Sequence, residues 1–363
     1  MKKIRVLVVD DSAFMRKIIP QLLNSDPEIE VVGTAMDGIF ALERIKTLTP
    51  DVITLDISMP RMDGIETLRH IMKEFRIPTI IISSLTTKDA DLTFQALEIG
   101  AFDFITKPLN AISTHIHEIS NELIQKVKTS FKNPSWSQKI KNVPPLIVKN
   151  KETATLSRKT ADKVLAIGTS TGGPNALSYL LPQFPRDFPA GILIVQHMPE
   201  GFIGMFASRL NSMCEIDVKE AEDGDIVLSG RALIAQSNKH LKIKQQPLGT
   251  IAVMSSSPPV NGHRPSADIL FKSVAAEYGA NAVGLIMTGM GDDGAAGIGE
   301  IMKCQGLTIA QDKDSCVVFG MPKAAIDKKH IHHIVPLDKI KDFLLNIFNN
   351  NTVGTNTSAG GGQ

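Results

Sequence analysis

The residues Gly168-Thr169-Ser170-Thr171-Gly172-Gly173 follow directly on the apolar run Val164 to Ile167 and precede a helix-like stretch from Pro174 to Leu181. That order reads as strand, tight turn and helix, with Ser170 at the apex of a G-x-S-x-G elbow. Such an elbow exposes a hydroxyl at the carboxyl edge of a sheet, and the helix start behind it offers backbone N–H groups to a developing oxyanion. A serine nucleophile needs a base to take its proton and an acid to orient that base. His197 stands in Val195-Gln196-His197-Met198-Pro199 and Asp293 in Thr288-Gly289-Met290-Gly291-Asp292-Asp293-Gly294, each just after a strand-like run. All three would meet on one sheet edge. The chain order serine, histidine, acid differs from the serine, acid, histidine order of α/β-hydrolases, so that fold does not follow. His330, His332 and His333 come late enough to satisfy it, but their alternation suits an exposed strand better. Read alone, the glycine-rich turn would also serve to cradle a phosphate at a helix start. The coincidence of three strand ends favours the nucleophilic reading.

A different chemistry sits earlier. Asp10-Asp11, Asp56 and Lys107 each close a short apolar run, and Ser83 closes another. In parallel sheets, ligands gather at the carboxyl ends of the strands. Three carboxylates converging there need a cation, and Mg²⁺ suits Asp10, Asp11 and Asp56 together with waters and phosphate oxygens. Asp56 is then a phosphoacceptor, with Lys107 a second positive charge and Ser83 a hydroxyl beside the phosphoryl group.

These side chains need elements to hold them at strand ends. Strand-like runs at 4–9, 31–34, 52–55, 79–82 and 102–106 alternate with helical periodicity at 12–24, 38–47, 64–74, 88–98 and 111–124. Five such units predict a doubly wound parallel sheet over 1–124. Ser12 is placed to cap the first helix and Gly100 to end the fourth. Periodicity then lapses over 125–160, which gains Pro134, Pro144 and Pro145 and reads as a linker. A second α/β domain is predicted over 161–348. Its strands fall at 164–167, 191–196, 283–287 and 307–310, its helices near 174–181, 203–210, 266–278 and 294–304, and 216–255 is locally β-rich. The tail 349–363, rich in Asn, Thr and Gly, is expected to be disordered.

Composition narrows the classes further. With 39 Lys and Arg against 38 Asp and Glu over 363 residues, the chain carries no polyanion-binding signature, and nucleic acid is not an expected partner. The basic residues are unevenly spread: ten fall between Lys126 and Lys163 against only Glu152 and Asp162, so the linker is basic. The 3 cysteines are far apart and form no C-x-x-C pair, which fits a reducing compartment. No apolar run approaches the roughly 18 to 20 residues that span a bilayer, so membrane insertion is not expected and the chain reads as cytoplasmic.

Over 1–124 the chain resembles the receiver domain of two-component response regulators, on Val8-Val9-Asp10-Asp11-Ser12, Leu55-Asp56-Ile57-Ser58-Met59-Pro60-Arg61-Met62-Asp63-Gly64 and Thr106-Lys107-Pro108. The resemblance implies a flavodoxin-like (βα)5 fold, phosphorylation of Asp56 by a histidine kinase, and signal relay through Ser83 and Phe102. The second half resembles the catalytic domain of the protein-glutamate methylesterases of chemotaxis. The motifs are Gly168 to Gly173, Gln196-His197-Met198-Pro199, His263-Arg264-Pro265-Ser266-Ala267-Asp268 and Gly289 to Gly297. With the receiver in front, the likeness extends over about 1–345. It implies Ser170 as nucleophile, His197 as base, Asp293 as orienting acid, Thr171 and Met290 amides as oxyanion donors and Arg264 on the substrate side. Asp292 stands where relatives carry Asn, so two adjacent acids face the imidazole, and place in the motif favours Asp293.

The implied function is phosphorylation-regulated hydrolysis of glutamate methyl esters on chemoreceptors, with deamidation of specific glutamines. No cofactor is expected for the esterase step. The alternative is a receiver-linked adaptor whose hydrolase-like domain is inactive. A transcriptional regulator would share the receiver, but 161–348 lacks a compact basic helix-turn-helix.

Overall fold

The computed structural model describes residues 2–84, 86–107, 116–133 and 159–349. Most of the expected linker and all but the first residue of the expected tail lie outside the described residues. The chain divides into two compact units, Met1–Pro144 and Pro145–Gln363.

The first unit is a five-stranded parallel sheet of β1 (Ile4–Val9), β2 (Ile29–Ala35), β3 (Val52–Asp56), β4 (Thr79–Ser83) and β5 (Asp103–Thr106), in the order β2-β1-β3-β4-β5. The central strands are buried almost throughout, which is why they read as unbroken apolar runs; the edge strand β2 is half-exposed along most of its length. Helices α1 (Met15–Asn24), α2 (Gly38–Leu48), α3 (Gly64–His70, continued by a π-turn to Phe75), α4 (Thr87–Ile99) and α5 (Ile116–Lys132) connect or follow them. In α1, Met15, Ile19 and Leu23 recur every four residues and form the buried stripe. Ser12 Oγ accepts from Met15 N at 3.4 Å, and Gly100 closes α4 at φ +125°.

One boundary differs from expectation. Helix α5 runs to Lys132, past the expected start of the linker at 125. Two of the basic residues counted with the linker are paired in this helix: Lys126 is buried against Asp103 and Glu122, and Lys128 bridges Asp26 and Glu28. Buried Leu123, Ile124 and Val127 carry the apolar stripe onward.

The second unit holds a seven-stranded sheet of order β14-β13-β12-β6-β7-β9-β8, every adjacent pair parallel. Its strands are β6 (Val164–Thr169), β7 (Gly191–Gln196), β8 (Asp217–Glu220), β9 (Arg231–Ile234), β12 (Ala282–Ile286), β13 (Leu307–Gln311) and β14 (His333–Val335). A separate antiparallel hairpin joins β10 (His240–Gln246) to β11 (Gly249–Ser255). The helices are α6 (Gly173–Leu180), α7 (Ile203–Met213), α8 (Ala267–Tyr278), α9 (Gly297–Lys303), α10 (Met321–Asp327) and α11 (Leu337–Asn349). Phe271, Leu193, Val195, Ile286 and Ile298 lie in the core between sheet and helices.

In the first sheet the strands following β1 and β3 lie on opposite sides of the gap between those two, and in the second the strands following β6 and β12 do the same. A doubly wound sheet opens a crevice at its switch point, beyond the carboxyl ends of the two strands concerned. Asp10, Asp11 and Asp56 border one crevice; Ser170 and the loop 287–296 border the other.

Candidate active site

Ser170 sits between β6 and α6. Gly172 takes φ +78°, a left-handed conformation that favours glycine, and a β-carbon there would come 2.6 Å from Val317. Pro174 then opens the helix, where its missing N–H costs nothing. Ser170 N donates to Thr288 O at 3.0 Å, Thr169 Oγ1 to the same carbonyl at 2.7 Å, and Gln196 Nε2 to Ser170 O at 3.1 Å. The elbow is thus clamped from β12 on one side and β7 on the other.

His197 leaves β7 in register with Ser170: Thr169 pairs Gln196, and His197 N donates to Thr169 O at 3.1 Å. Its Nε2 bonds Asp293 Oδ2 at 2.8 Å. Its Nδ1 is buried without a hydrogen-bond partner and is therefore the nitrogen left to accept from a serine hydroxyl. Asp292 is exposed, and the adjacent acid that holds the imidazole is Asp293.

Asp293 is fully buried among donors. Oδ1 accepts from Ser266 Oγ at 2.6 Å and Asp268 N at 3.2 Å; Oδ2 accepts from Ala267 N at 2.7 Å as well as from His197. Those amides are the first turn of α8, so the carboxylate occupies the anion-favouring end of a helix from another part of the chain. Burial alone would push its pKa up, but the His197 bond and charge, Ser266 and Ala267 outweigh it and hold the group down at about 2.

Thr171 is buried directly after Ser170, and its carbonyl accepts from Thr288 Oγ1 at 2.9 Å. Met290 follows Gly289, where an added β-carbon would come 2.9 Å from Ser170 Cβ. Both expected oxyanion residues therefore flank the serine. Arg264, expected on the substrate side, is half-buried and hydrogen-bonded within the chain. Its Nε and one terminal nitrogen bond Asn238 Oδ1 at 3.0 and 2.5 Å, and the other reaches Ser256 O at 3.2 Å and Ser257 O at 3.3 Å. The residue of that motif that meets the imidazole is His263, whose ring stacks on His197. Ser266 was also not singled out: it looks like an ordinary helix cap, yet its hydroxyl goes to Asp293. The late histidines have their own partners. His330 Nδ1 bonds Ala295 O at 2.8 Å, His332 Nδ1 bonds Thr308 Oγ1 at 2.8 Å, and His333 packs on Phe343, with β14 three strands from β6.

In the first unit, ligand atoms of Asp10, Asp11 and Asp56 lie within 4.8 Å of one another. Lys107 Nζ pairs with Asp56 Oδ2 at 2.8 Å and Asp10 Oδ2 at 3.3 Å. Burial pushes the Asp56 carboxyl up to about 6, against the pull of Lys107, and raises Asp10 as well. Ser83 is buried and accepts from Thr93 Oγ1 at 2.8 Å. An unforeseen carboxylate, Asp89, gathers Ser58, Ser84 and Thr86 and ties the loop after β3 to the start of α4. Phe102 is not at this site. It lies buried ahead of β5, bonding Thr79 O at the amino end of β4, about 15 Å of extended chain from Lys107. Phe104 is the aromatic within β5 itself, with Lys126 over its ring.

Residues 165–344 match the family model "CheB methylesterase" and residues 6–117 the model "Response regulator receiver domain". Among relatives, the protein-glutamate methylesterase/protein-glutamine glutaminase 2 of Koribacter versatilis (strain Ellin345) is 51% identical over 346 residues, covering 94% of this chain and 95% of that protein. The chain belongs to the CheB methylesterase family. The Pyrococcus horikoshii family member is 47% identical over 94% of this chain and 92% of its own length. A crystal structure of the Thermotoga maritima CheB methylesterase catalytic domain is 40% identical, with TM-score 0.50, and covers 51% of this chain and 98% of that one. Like that family, this chain pairs a receiver with a methylesterase domain, and each half has its polar cluster at the switch point of its own sheet.

Proposed function

We propose that the chain hydrolyses methyl esters of glutamate side chains on chemoreceptors in the cytoplasm, and deamidates specific glutamines there, under control of Asp56 phosphorylation. The observation that carries this is the buried His197–Asp293 bond, which leaves Nδ1 as the unpartnered nitrogen beside the Ser170 elbow. The family names of the relatives supply the substrate class.

In this reading Ser170 Oγ attacks the ester carbonyl and passes its proton to His197 Nδ1, while Nε2–H stays on Asp293. Negative charge on the carbonyl oxygen is met by the amides of Thr171 and Met290. The tetrahedral adduct collapses, its methoxy oxygen takes the proton from Nδ1, and methanol leaves. Water, deprotonated by the same nitrogen, attacks the acyl-serine and releases the carboxylate with Ser170 restored. A glutamine side chain follows the same path with ammonia as leaving group. Side chains and backbone amides supply every step.

In the receiver, Asp10, Asp11 and Asp56 would hold Mg²⁺: their carboxylates offer ligand oxygens within 4.8 Å of one another, and among the described residues the buried Asp10 Oδ2 and Asp56 Oδ2 meet only the Lys107 ammonium. When bound, the ion neutralises charge on the phosphoryl group. Asp56 accepts that group from the histidine kinase, and Lys107 is placed to follow the new negative charge. The phosphorylated receiver biases a two-state equilibrium toward active esterase.

The test is methanol release from methylated receptor by the full chain. Release is expected to rise with a small-molecule phosphodonor and Mg²⁺, and Asp56→Asn is expected to keep basal release while losing the rise. A phosphodonor response that survives in Asp56→Asn would sink the assignment.

The same carboxylate predicts a stability effect. The folded pKa of about 6 lies above the ordinary 3.8, so the folded receiver retains a proton that the unfolded chain has lost. The contribution of Asp56 is fully present below pH 3.8 and is lost as pH rises through about 6, on the order of 3 kcal/mol. Melting temperature is therefore expected to rise in Asp56→Asn at about pH 7.5 and hardly to change at about pH 4. Mg²⁺ should stabilise the parent more at the higher pH, where it does not compete with the proton. Equal Mg²⁺ effects at both pH values would contradict this.

A further inference from the structure

The motif running from His263 to Asp268 is only partly spent on Asp293. Ser266, Ala267 and Asp268 supply the carboxylate with donors, while His263 supplies a surface. Its ring lies on that of His197 with centroids 4.0 Å apart and planes 7° from parallel. A ring held only by the Nε2–Asp293 bond can still roll about the axis of that bond, and rolling carries Nδ1 away from the serine. A flat partner on one face removes that freedom. We infer that His263 is a positioning residue, whose ring face fixes the plane of His197 so that Nδ1 stays toward Ser170 while Nε2 stays on Asp293.

The support beneath His263 fits this role. It closes the turn Val260–His263, whose ends exchange two backbone bonds at 2.9 and 3.0 Å. Within the turn, Asn261 takes φ +51° and its Nδ2 donates to Asp268 Oδ2 at 3.1 Å. Asp268 in turn accepts from Gly297 N at 2.5 Å and donates its own N–H to Asp293. Acid and stacking ring therefore hang from the same helix start. Arg264 braces the other flank through Asn238, Ser256 and Ser257.

No hydrogen bond reaches the ring nitrogens of His263 among the described residues, so its face rather than its proton does the positioning. Burial, then the neighbouring His197 charge, lowers its pKa to about 4 against the opposing pull of Asp293 and Asp292. The ring is thus neutral at neutral pH. A neutral π face tolerates the imidazolium that forms on acylation, whereas a second cation would repel it.

This inference rests on the reading of Ser170 and His197 as nucleophile and base, and its test separates the two. In the full chain, His263→Ala and His263→Phe are compared by the rate of Ser170 labelling with a fluorophosphonate, and by kcat and KM for methanol release. Loss of the ring face in His263→Ala is expected to lower labelling and kcat together by roughly 10- to 100-fold with KM within about threefold. His263→Phe, which keeps a flat ring, is expected to recover to within about threefold of the parent. Should His263→Ala not fold, His263→Leu replaces it, apolar but without a flat face, with the same expectation. The inference is overturned if the truncated variant matches the parent, if His263→Phe is as impaired as His263→Ala, or if the loss falls on KM. A parent that labels but releases no methanol would retire the substrate while leaving this comparison intact.

Discussion

Methanol release by Ser170→Ala is expected to fall by about 10⁴-fold or more, with or without phosphodonor, while binding of methylated receptor is retained. The size follows from what remains. Removing Oγ leaves His197 and Asp293 joined at 2.8 Å and the amides after Ser170 and Gly289 in place, so carbonyl polarisation survives without a group to attack. The fold should survive as well, because Ser170 is clamped through its backbone: N to Thr288, O to Gln196 and Gly173. Melting temperature is therefore expected within about 2 °C of the parent, as for substitutions that disturb no packing or buried bond. Methanol release that falls less than about tenfold would remove Ser170 from the chemistry. A parent that releases none under any condition would leave a receiver-linked adaptor.

The strand ends were legible because parallel strands buried on both faces read as unbroken apolar runs, so the first polar residue after each run marks the sheet edge. Asp56 after Val52 to Leu55 is found that way, and so is Gln196 after Ile192 to Val195, with His197 the next residue. Short edge strands give no such contrast. Asp217–Glu220 carries three charged residues among its four and joins the main sheet only through its pairing with β9. Side-chain direction was equally hidden. A motif names Arg264, but its bond to Asn238 depends on a loop elsewhere in the chain that brings that residue beside it. Phe102 and Phe104 share an alternation phase, so where β5 begins, and hence which of them the strand carries, depends on the Thr79 contact that sequence does not show. The serine elbow, by contrast, is written into its glycines, since the turn needs positive φ at 172 and the neighbouring Gln196 leaves no room for a β-carbon at 173.

Asp293→Asn is expected to lower kcat on the order of 10³-fold with little change in KM. Each carboxylate oxygen faces a backbone N–H, Ala267 on Oδ2 and Asp268 on Oδ1, so an amide NH₂ opposes a donor in either orientation. The less costly choice sets NH₂ toward Asp268, the longer contact at 3.2 Å, because the Ser266 hydroxyl on that side can turn and accept. His197 then keeps Nε2–H on an amide oxygen and its Nδ1 stays able to accept, so the proton stays on the required nitrogen. What is lost is the negative charge that stabilises the imidazolium, which is why the expected fall is smaller than that of a substitution forcing the wrong tautomer. Asp292→Asn, at an exposed position, should change kcat by less than about threefold. Stability separates the neighbours too. The folded Asp293 pKa of about 2 lies below the ordinary 3.8, so its contribution, roughly 2 kcal/mol, is present above pH 3.8 and is lost as pH falls through about 2. Asp293→Asn lacks that contribution and buries an opposed N–H, so it should melt below the parent at neutral pH, by a gap that narrows as pH falls below about 4. Thermal unfolding against pH measures the gap; one that widens toward acid, or a kcat within tenfold of the parent, would mean that Asp293 reaches His197 without bearing a charge.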